Sequence, residues 1–239
     1  MLTIHYSLLT IVSELNINDL KEKFGSLPEK NQLQLIPELI NFGDSGVEIL
    51  LQFLIQKRSN PNWIAGKIYQ LLYNSDFSIA RQFLQKEFAS GFVPLKSAKG
   101  IDYSPIEKLL IMQDFAGADR VTLEKLCELA GEIAIKRKWL YFTEVDSFPE
   151  VDLQTINTLW VVYSEGKFGF SVQREIWLST GKNFIKLWEK IGWKKGNDWT
   201  RYPHEFTWDL TAPKGHLPLS NQLRGSRVIT SLFHHPAWK

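Results

Sequence analysis

The sequence predicts an all-α fold in two parts: an N-terminal bundle that resembles helical repeats, and a C-terminal all-helical domain with long loops. Three observations support this prediction. Apolar residues recur at helical spacing through most of the chain, Pro and Gly interrupt them at intervals, and eight of the nine tryptophans follow residue 138. Pro94, Gly100 and scattered polar residues indicate a linker at residues 92–104, and we therefore place the domain boundary between residues 91 and 92.

The N-terminal part alternates helices with turns of two to four residues. In DSGVEILLQFLIQKRSN, Asp44 is expected to cap a helix whose C-terminal end carries Lys57. Pro61 suits the first turn of the next helix, and Gly91 ends the last one. Four or five consecutive helices with short turns predict antiparallel neighbours, although no exact repeat is present. We interpret residues 1–91 as an accessory or interaction domain.

The C-terminal domain, residues 92–239, opens with a linker candidate at residues 92–104, FVPLKSAKGIDYS. Helical periodicity follows, and Asp152 is expected to cap the helix in DLQTINTLWVVY. In GKFGFSVQREIW, we expect Phe168 and Phe170 to anchor a turn into the next helix. The segments with helical spacing are SPIEKLL, DFAGADRVTLEKLCELAG, DLQTINTLWVVY, SVQREIW and GKNFIKLWEKI.

After Gly192 the helical periodicity ends. Residues 193–219, WKKGNDWTRYPHEFTWDLTAPKGHLPL, contain three prolines and five aromatic rings. A long loop of this kind inside a compact domain is more often functional than accidental. A short helix, SRVITSLF, follows it.

Composition excludes several classes of protein. A net charge of +2 is far from the strong basicity of dedicated DNA binders, although residues 181–239 contain ten basic and four acidic residues. The single cysteine, Cys127, excludes an internal disulfide and metal sites built from several thiolates. The N-terminus lacks the features of a secretory signal, and no run of about 20 apolar residues predicts a transmembrane segment. These features favour a soluble intracellular protein.

Catalytic and metal-binding patterns are not evident in the sequence. Cys127 lies on the apolar face of a predicted helix, where an inert buried thiol is expected. The five histidines show no metal-ligand spacing, so no intrinsic metal is expected. STGKNF does not match a phosphate loop, and GKFGF does not match a dinucleotide-binding fingerprint. Asp114, Asp119 and Glu124 form the main carboxylate cluster, which helix capping and solvation account for.

A group of rings and cations remains, and it has two interpretations. Rings can stack on a flat apolar ligand whose carboxylates pair with guanidinium groups. Alternatively, the rings fill the core of a loop-rich domain and the cations are solvated. The group comprises Phe142, Trp199, Tyr202, Phe206 and Trp208 with Arg201, Asn221, Arg224 and Arg227.

Several motifs, in order along residues 92–238, resemble the genomes-uncoupled-four family of porphyrin-binding activators of magnesium chelatase in chlorophyll synthesis. FGFSVQ and NQLRG form the most specific pair. The N-terminal part is similar to the helical accessory domain of cyanobacterial members. The other motifs are GIDYSPIEKLL, DFAGAD, LCELAG, WLYFTEV, DLQTINTLW, IGW, FTWDL and GHLPLSNQLRG.

The resemblance implies a non-enzymatic, cytoplasmic regulator of the cyanobacterial type, and it leaves peripheral membrane association open. Its ligand would be protoporphyrin IX or magnesium protoporphyrin IX, and its partner the large porphyrin-binding subunit of magnesium chelatase. Tyr202 stands where related sequences often have Trp, and Asn157 where many have Asp. The implied porphyrin-binding residues are Phe142, Tyr202, Phe206 and Trp208 in the walls, with Asn221, Arg224 and Arg227 at a polar rim.

Three other functions remain open from the residues alone. A helical adaptor would use the aromatic loop as core or protein interface. A protein that stacks single-stranded nucleic acid would bind oligonucleotides with steep salt dependence. A haem sensor would use His204 or His216 as the axial ligand.

Overall fold

The structure is a computed structural model that describes residues 17–219 and 226–239. Helices make up most of the described chain, and its strands are limited to two pairs of residues. The predicted all-α fold is therefore confirmed. No helix in the described ranges is long and apolar enough to cross a bilayer. The chain divides into two compact units, which comprise the described part of Met1–Asn60 with Ile68–Ala89, and Pro61–Lys67 with Ser90–Lys239.

The first unit is built from short helices whose apolar faces form a common core. Helices α2 and α3 approach closely at Gly46, where a Cβ atom would overlap the carbonyl oxygen of Leu39. Leu39, Leu50 and Leu54 are fully buried. The sequence predicts Asp44 as the cap of α3, but Gly43 occupies the cap position and Asp44 is the first residue of the helix. The helices are α1 (Ile17–Lys23), α2 (Glu29–Asn41), α3 (Asp44–Lys57), α4 (Trp63–Tyr73, from Ile68 onward in this unit) and α5 (Ser78–Glu87), with a 3-10 turn at Phe24–Ser26.

The second unit contains the longest helix of the described residues and the loop that follows Gly192. Its single hairpin pairs β1 with β2 in antiparallel register, so that Lys194 faces Trp199. The elements of its described residues are α6 (Ser104–Ile111), α7 (Phe115–Ala130), α8 (Glu132–Arg137), α9 (Phe142–Val145), α10 (Glu150–Tyr163), α11 (Phe170–Ser179), α12 (Phe184–Lys190), β1 (Lys194–Lys195), β2 (Asp198–Trp199), α13 (Arg227–His234) and a 3-10 turn at Pro236–Trp238.

The GKFGF turn belongs to the core of the second unit. Phe168 and Phe170 are both fully buried, and the ring of Phe168 meets the ring of Phe115 edge-on at 5.4 Å. Gly169 has a φ of 130°, a conformation that favours glycine. Asn157 on α10 accepts a hydrogen bond from the backbone N–H of Ser171 at 2.9 Å, which satisfies one of the free donors at the start of α11. The turn therefore fixes α11 against α10, as the sequence predicts.

Asp152 is not the helix cap that the sequence predicts. Helix α10 begins two residues earlier, at Glu150, and the Asp152 side chain is fully buried. Its carboxylate accepts hydrogen bonds from the backbone N–H of Ala98 at 2.9 Å and the hydroxyl of Tyr103 at 2.7 Å, and also from Ser97. Asp152 therefore holds the segment before α6 against α10, a long-range role that local spacing does not reveal.

Trp177, Trp188 and Trp193 belong to a core cluster beneath the loop that follows Gly192. Trp188 and Trp193 stack with ring centroids 5.3 Å apart and planes 5° apart. The cluster joins α11, α12 and α13 to this loop, which gives the loop a rigid base. Its buried members are Trp177, Leu187, Trp188, Ile191, Trp193, Phe206, Ile229 and Phe233.

Candidate functional site

The aromatic loop, residues 193–219, presents a cluster of three predicted site residues. The ring centroids of Tyr202, Phe206 and Trp208 lie 5.7 to 6.1 Å from one another. Phe206 is only 5% exposed, whereas Tyr202 is 45% exposed. The indole N–H of Trp208 donates to the carbonyl of Pro203 at 3.0 Å. Phe206 is thus the buried base of the cluster, and the ring of Tyr202 is accessible to solvent.

His216 supports this cluster from below. Its ring lies 4.9 Å from the ring of Phe206, and its Nδ1 lies 2.6 Å from the carbonyl oxygen of Ile191. Its Nε2 accepts a hydrogen bond from the backbone N–H of Thr207 at 3.3 Å. Nδ1 must therefore carry the proton, and burial lowers the pKa of the ring, which favours this neutral form. Both ring nitrogens are engaged, so His216 has no free nitrogen for the axial ligation that a haem sensor needs.

Two further predicted site residues meet on α9 and α13. The guanidinium carbon of Arg227 lies 5.4 Å from the ring centroid of Phe142, within the range of a cation–π contact. Phe142 is 36% exposed, and Arg227 is also exposed. A ligand can therefore reach both side chains.

A compact cluster fixes the turn between α8 and α9. The guanidinium of Arg137 lies 4.4 Å from the ring of Trp139 and 4.2 Å from the ring of Tyr141. It also pairs with the carboxylate of Glu144 at 2.6 Å, and the same carboxylate accepts from the backbone N–H of Tyr141 at 2.7 Å. These contacts set the position of Phe142, the next residue along the chain.

A cavity of about 550 Å³ lies between α7 and α8. Its volume falls within the range of ligand-binding sites. Burial raises the pKa of the Cys127 thiol to about 11, so the thiol is protonated at neutral pH. This agrees with the predicted inert thiol. The residues lining the α7–α8 cavity are Arg120, Leu123, Glu124, Cys127, Glu128, Ile135 and Lys138.

Helix α7 also connects to the aromatic loop. Burial raises the pKa of the Tyr202 hydroxyl, and the charge of Arg120 is close enough to oppose that rise. The neighbouring carboxylate of Asp119 accepts from the backbone N–H of Leu219, at the end of the loop, at 2.7 Å. Asp119 is buried, so its prediction as a capping or solvated carboxylate is wrong. Helix α7 therefore lines the cavity and also contacts the aromatic loop.

The predicted site residues fall into three groups. Tyr202, Phe206 and Trp208 lie together, and Phe142 lies against Arg227. Asn221 and Arg224 lie outside the described residues. The cavity lining was missed as a site, although its α7 members follow one helical face at positions 120, 123, 124, 127 and 128. That spacing was the available signal, but apolar residues interrupt the charges and the face looks like an ordinary helix surface.

The described residues contain no group of three or more His, Cys, Asp and Glu arranged to hold a metal ion. The side chains around the α7–α8 cavity are instead apolar groups and charged groups, some paired and some single. This combination suits an organic ligand with an apolar body and charged substituents.

Two family models match the chain. Residues 96–236 match a family described as GUN4-like, and residues 10–89 match an ARM-like repeat domain described as GUN4-N terminal. The chain is 52% identical over 225 residues to a Ycf53-like protein from Synechocystis, covering 93% of this chain and 97% of that protein. It is 39% identical over 145 residues to a chloroplastic tetrapyrrole-binding protein from Arabidopsis thaliana, covering 57% of this chain and 55% of that one.

Two solved structures resemble more than half of the chain. The structure of GUN4 from Chlamydomonas reinhardtii matches with a TM-score of 0.58 at 40% identity, covering 61% of this chain and 93% of that one. The ligand-free structure of Arabidopsis thaliana GUN4 matches with a TM-score of 0.54 at 39% identity, covering 59% of this chain and 99% of that one.

Proposed function

The chain belongs to the GUN4-like family, and from this premise we propose that it binds protoporphyrin IX and magnesium protoporphyrin IX as a non-enzymatic regulator. One observation gives the main support: the α7–α8 cavity of about 550 Å³ lies on the helix that also contacts the aromatic loop. A relative 39% identical to this chain is a tetrapyrrole-binding protein. A flat macrocycle with charged substituents needs a cavity of this size together with stacking rings.

The proposed site combines two walls and a rim. Tyr202 and Trp208 on the aromatic loop would stack on the macrocycle, and the buried Phe206 would hold their rings in place. Phe142 would form the opposite wall. Apolar burial would supply most of the affinity, at about 25 cal/mol per Å².

The rim would orient the ligand through its propionates. We propose Asn221, Arg224 and Arg227 for this role, because guanidinium groups pair well with carboxylates. Of these, Arg227 lies in the described chain, with its charge beside Phe142. The charge-assisted hydrogen bonds would mainly set orientation, since the exposed ends of such pairs are screened by solvent.

The first experiment titrates protoporphyrin IX into the full-length protein and follows tryptophan quenching and the Soret band. Saturable binding at micromolar concentrations is expected, and Tyr202→Ala should weaken it about tenfold by removing a stacking ring. Tyr73→Ala is the matched control, because Tyr73 is similarly exposed, at 52%, on helix α4. Absence of saturable binding would refute the proposal and favour the helical adaptor.

We further propose that the protein stimulates magnesium chelatase by contacting its large porphyrin-binding subunit. The family resemblance supports this partner. In a reconstituted chelatase assay, the protein should raise the rate of magnesium insertion at limiting porphyrin, and a variant that does not bind porphyrin should not. An unchanged rate together with normal porphyrin binding would separate ligand binding from activation and refute the second part alone.

A further inference from the structure

The charges around the α7–α8 cavity do not balance. Lys125 contacts both carboxylate oxygens of Glu128, at 2.8 and 3.0 Å, so the charge of Glu128 is compensated. Arg120, Glu124 and Lys138 form no ion pair within 4.0 Å in the described ranges. Among the described residues, two cations and one carboxylate therefore line the cavity without an ion-pair partner, which leaves an excess of positive charge there.

Lys138 holds an unusual backbone position. It ends α8 with φ 62° and ψ 28°, the left-handed region, and its N–H bonds to the carbonyl of Ala134 at 2.7 Å. Glycine is the usual residue at this point of a helix because it adopts this conformation without a steric cost. A lysine here places a long cationic side chain at the cavity, and a strained residue at a cavity motivates a functional hypothesis.

Among the residues that line the cavity, Arg120 is the one whose charge also acts on Tyr202 of the aromatic loop. On α7 it precedes Glu128 by eight residues, about 12 Å along the helix axis, and both residues line the cavity. Its charge also influences Tyr202. A carboxylate of a ligand stacked on Tyr202 would therefore find the Arg120 guanidinium within the same site.

We propose that Arg120 and Lys138 recognise the carboxylate substituents of the ligand in the α7–α8 cavity, and so select a macrocycle bearing free acids over its neutral counterpart. This inference rests on the proposed function. It adds a second set of carboxylate contacts to the rim, located on α7 and α8. Glu124, the unpaired carboxylate, sets a limit on how much negative charge the cavity accepts.

The test compares two probes, protoporphyrin IX and its dimethyl ester, in the same mild detergent. The full-length protein should bind the diacid about tenfold more tightly than the diester, as expected for charge-assisted hydrogen bonds. Arg120→Gln and Lys138→Gly should each reduce this preference about threefold, and the double variant should lose most of it and keep only the part that the rim supplies. The diacid preference should also decline with added salt.

Lys138→Gly separates ligand recognition from folding. Glycine relieves the left-handed backbone while it removes the amine, so the melting temperature should stay equal or rise. Lys138→Arg and Arg120→Lys should retain the diacid preference because they retain the charge. Lys136→Gln is the matched control, since Lys136 is exposed on the same helix and does not line the cavity.

The outcomes distinguish the two proposals. If the unmodified protein binds neither probe, the proposed function fails and this inference fails with it. If it binds both probes equally, or if the double variant keeps the full diacid preference, the proposed function stands and the assignment of Arg120 and Lys138 is overturned.

Discussion

Asp119 shows how one side chain can link a helix to a distant loop. Its carboxylate is buried in α7 and accepts from the backbone N–H of Leu219 at 2.7 Å. Burial raises its pKa from 3.8 to about 7, although the bond from Leu219 and the charge of Arg120 oppose the rise. Between these two values the unfolded chain has released the proton and the folded chain keeps it. Stability is therefore lost as the pH rises from about 4 to 7.

Asp119→Asn should remove this cost, because the amide oxygen can still accept from Leu219. Relative to the unmodified protein, its free energy of unfolding should increase between pH 5 and pH 8, by on the order of 3 kcal/mol. Urea denaturation at the two pH values measures this difference. Asp114→Asn is the control, because Asp114 caps α7 through Gly117 and is exposed. A gain for Asp119→Asn that is the same at both pH values would contradict the assignment.

The sequence could not reveal the position of Asp119. Local spacing assigned it to capping, but its partner is 100 residues away in the chain. Asp152 was misassigned for the same reason, since its partners belong to residues 97–103. A buried carboxylate and a capping carboxylate look alike in sequence, because long-range partners decide between them.

At the scale of elements, helical periodicity predicted the long helices well, since their apolar faces repeat over three or more turns. It did not predict α8 and α9, which have six and four residues. Side-chain contacts such as the pair between Arg137 and Glu144 stabilise such short segments more than propensity does. The α7–α8 cavity was missed because its walls come from both helices, and no single periodic pattern contains them.

The aromatic loop depends on a neutral His216. Burial lowers the pKa of this ring below its ordinary value of 6.5. As the pH falls below 6.5, the unfolded chain takes up a proton that the folded chain refuses, so stability is lost toward acid. In the neutral ring, Nε2 accepts a hydrogen bond from the backbone N–H of Thr207. In the protonated ring, Nε2 would carry a hydrogen of its own, which would face that N–H and break the bond.

His216→Gln should reduce the loss of stability between pH 7.5 and pH 5.5, because glutamine does not titrate. The variant should be less stable at pH 7.5, by about 1 kcal/mol, since one amide replaces two well-placed ring nitrogens. Tryptophan fluorescence during denaturation is a suitable measurement, because the Trp193 indole donates to the carbonyl of His216 at 2.7 Å. Parallel pH dependence in both proteins would refute the role of His216, since every other titrating group is common to them.

At the scale of the whole molecule, the division into two units indicates which part of the chain contains the proposed site. The described site residues and the α7–α8 cavity belong to the second unit. The Chlamydomonas structure, matched over 93% of its length, corresponds to 61% of this chain. A fragment of residues 92–239 is therefore expected to fold. It would lack Pro61–Lys67, however, which also belongs to the second unit.

The lost segment makes specific contacts with the end of α10. Lys67 pairs with Glu165 at 2.7 Å, and Gly66 lies so close to Val162 that a Cβ atom would overlap its carbonyl oxygen. The fragment should keep protoporphyrin affinity within about threefold and melt about 5 °C lower, since Tm shifts by about 2–4 °C per kcal/mol in domains of this size.

Lys67→Gln in the full chain provides the control for this prediction. It removes only the partly exposed ion pair and should lower the melting temperature by at most about 3 °C. Porphyrin titration and thermal denaturation of all three proteins measure both effects. A folded fragment that no longer binds porphyrin would show that residues 1–91 contribute directly to the site. A fragment as stable as the full chain would instead show that the Gly66 and Lys67 contacts add little to the second unit.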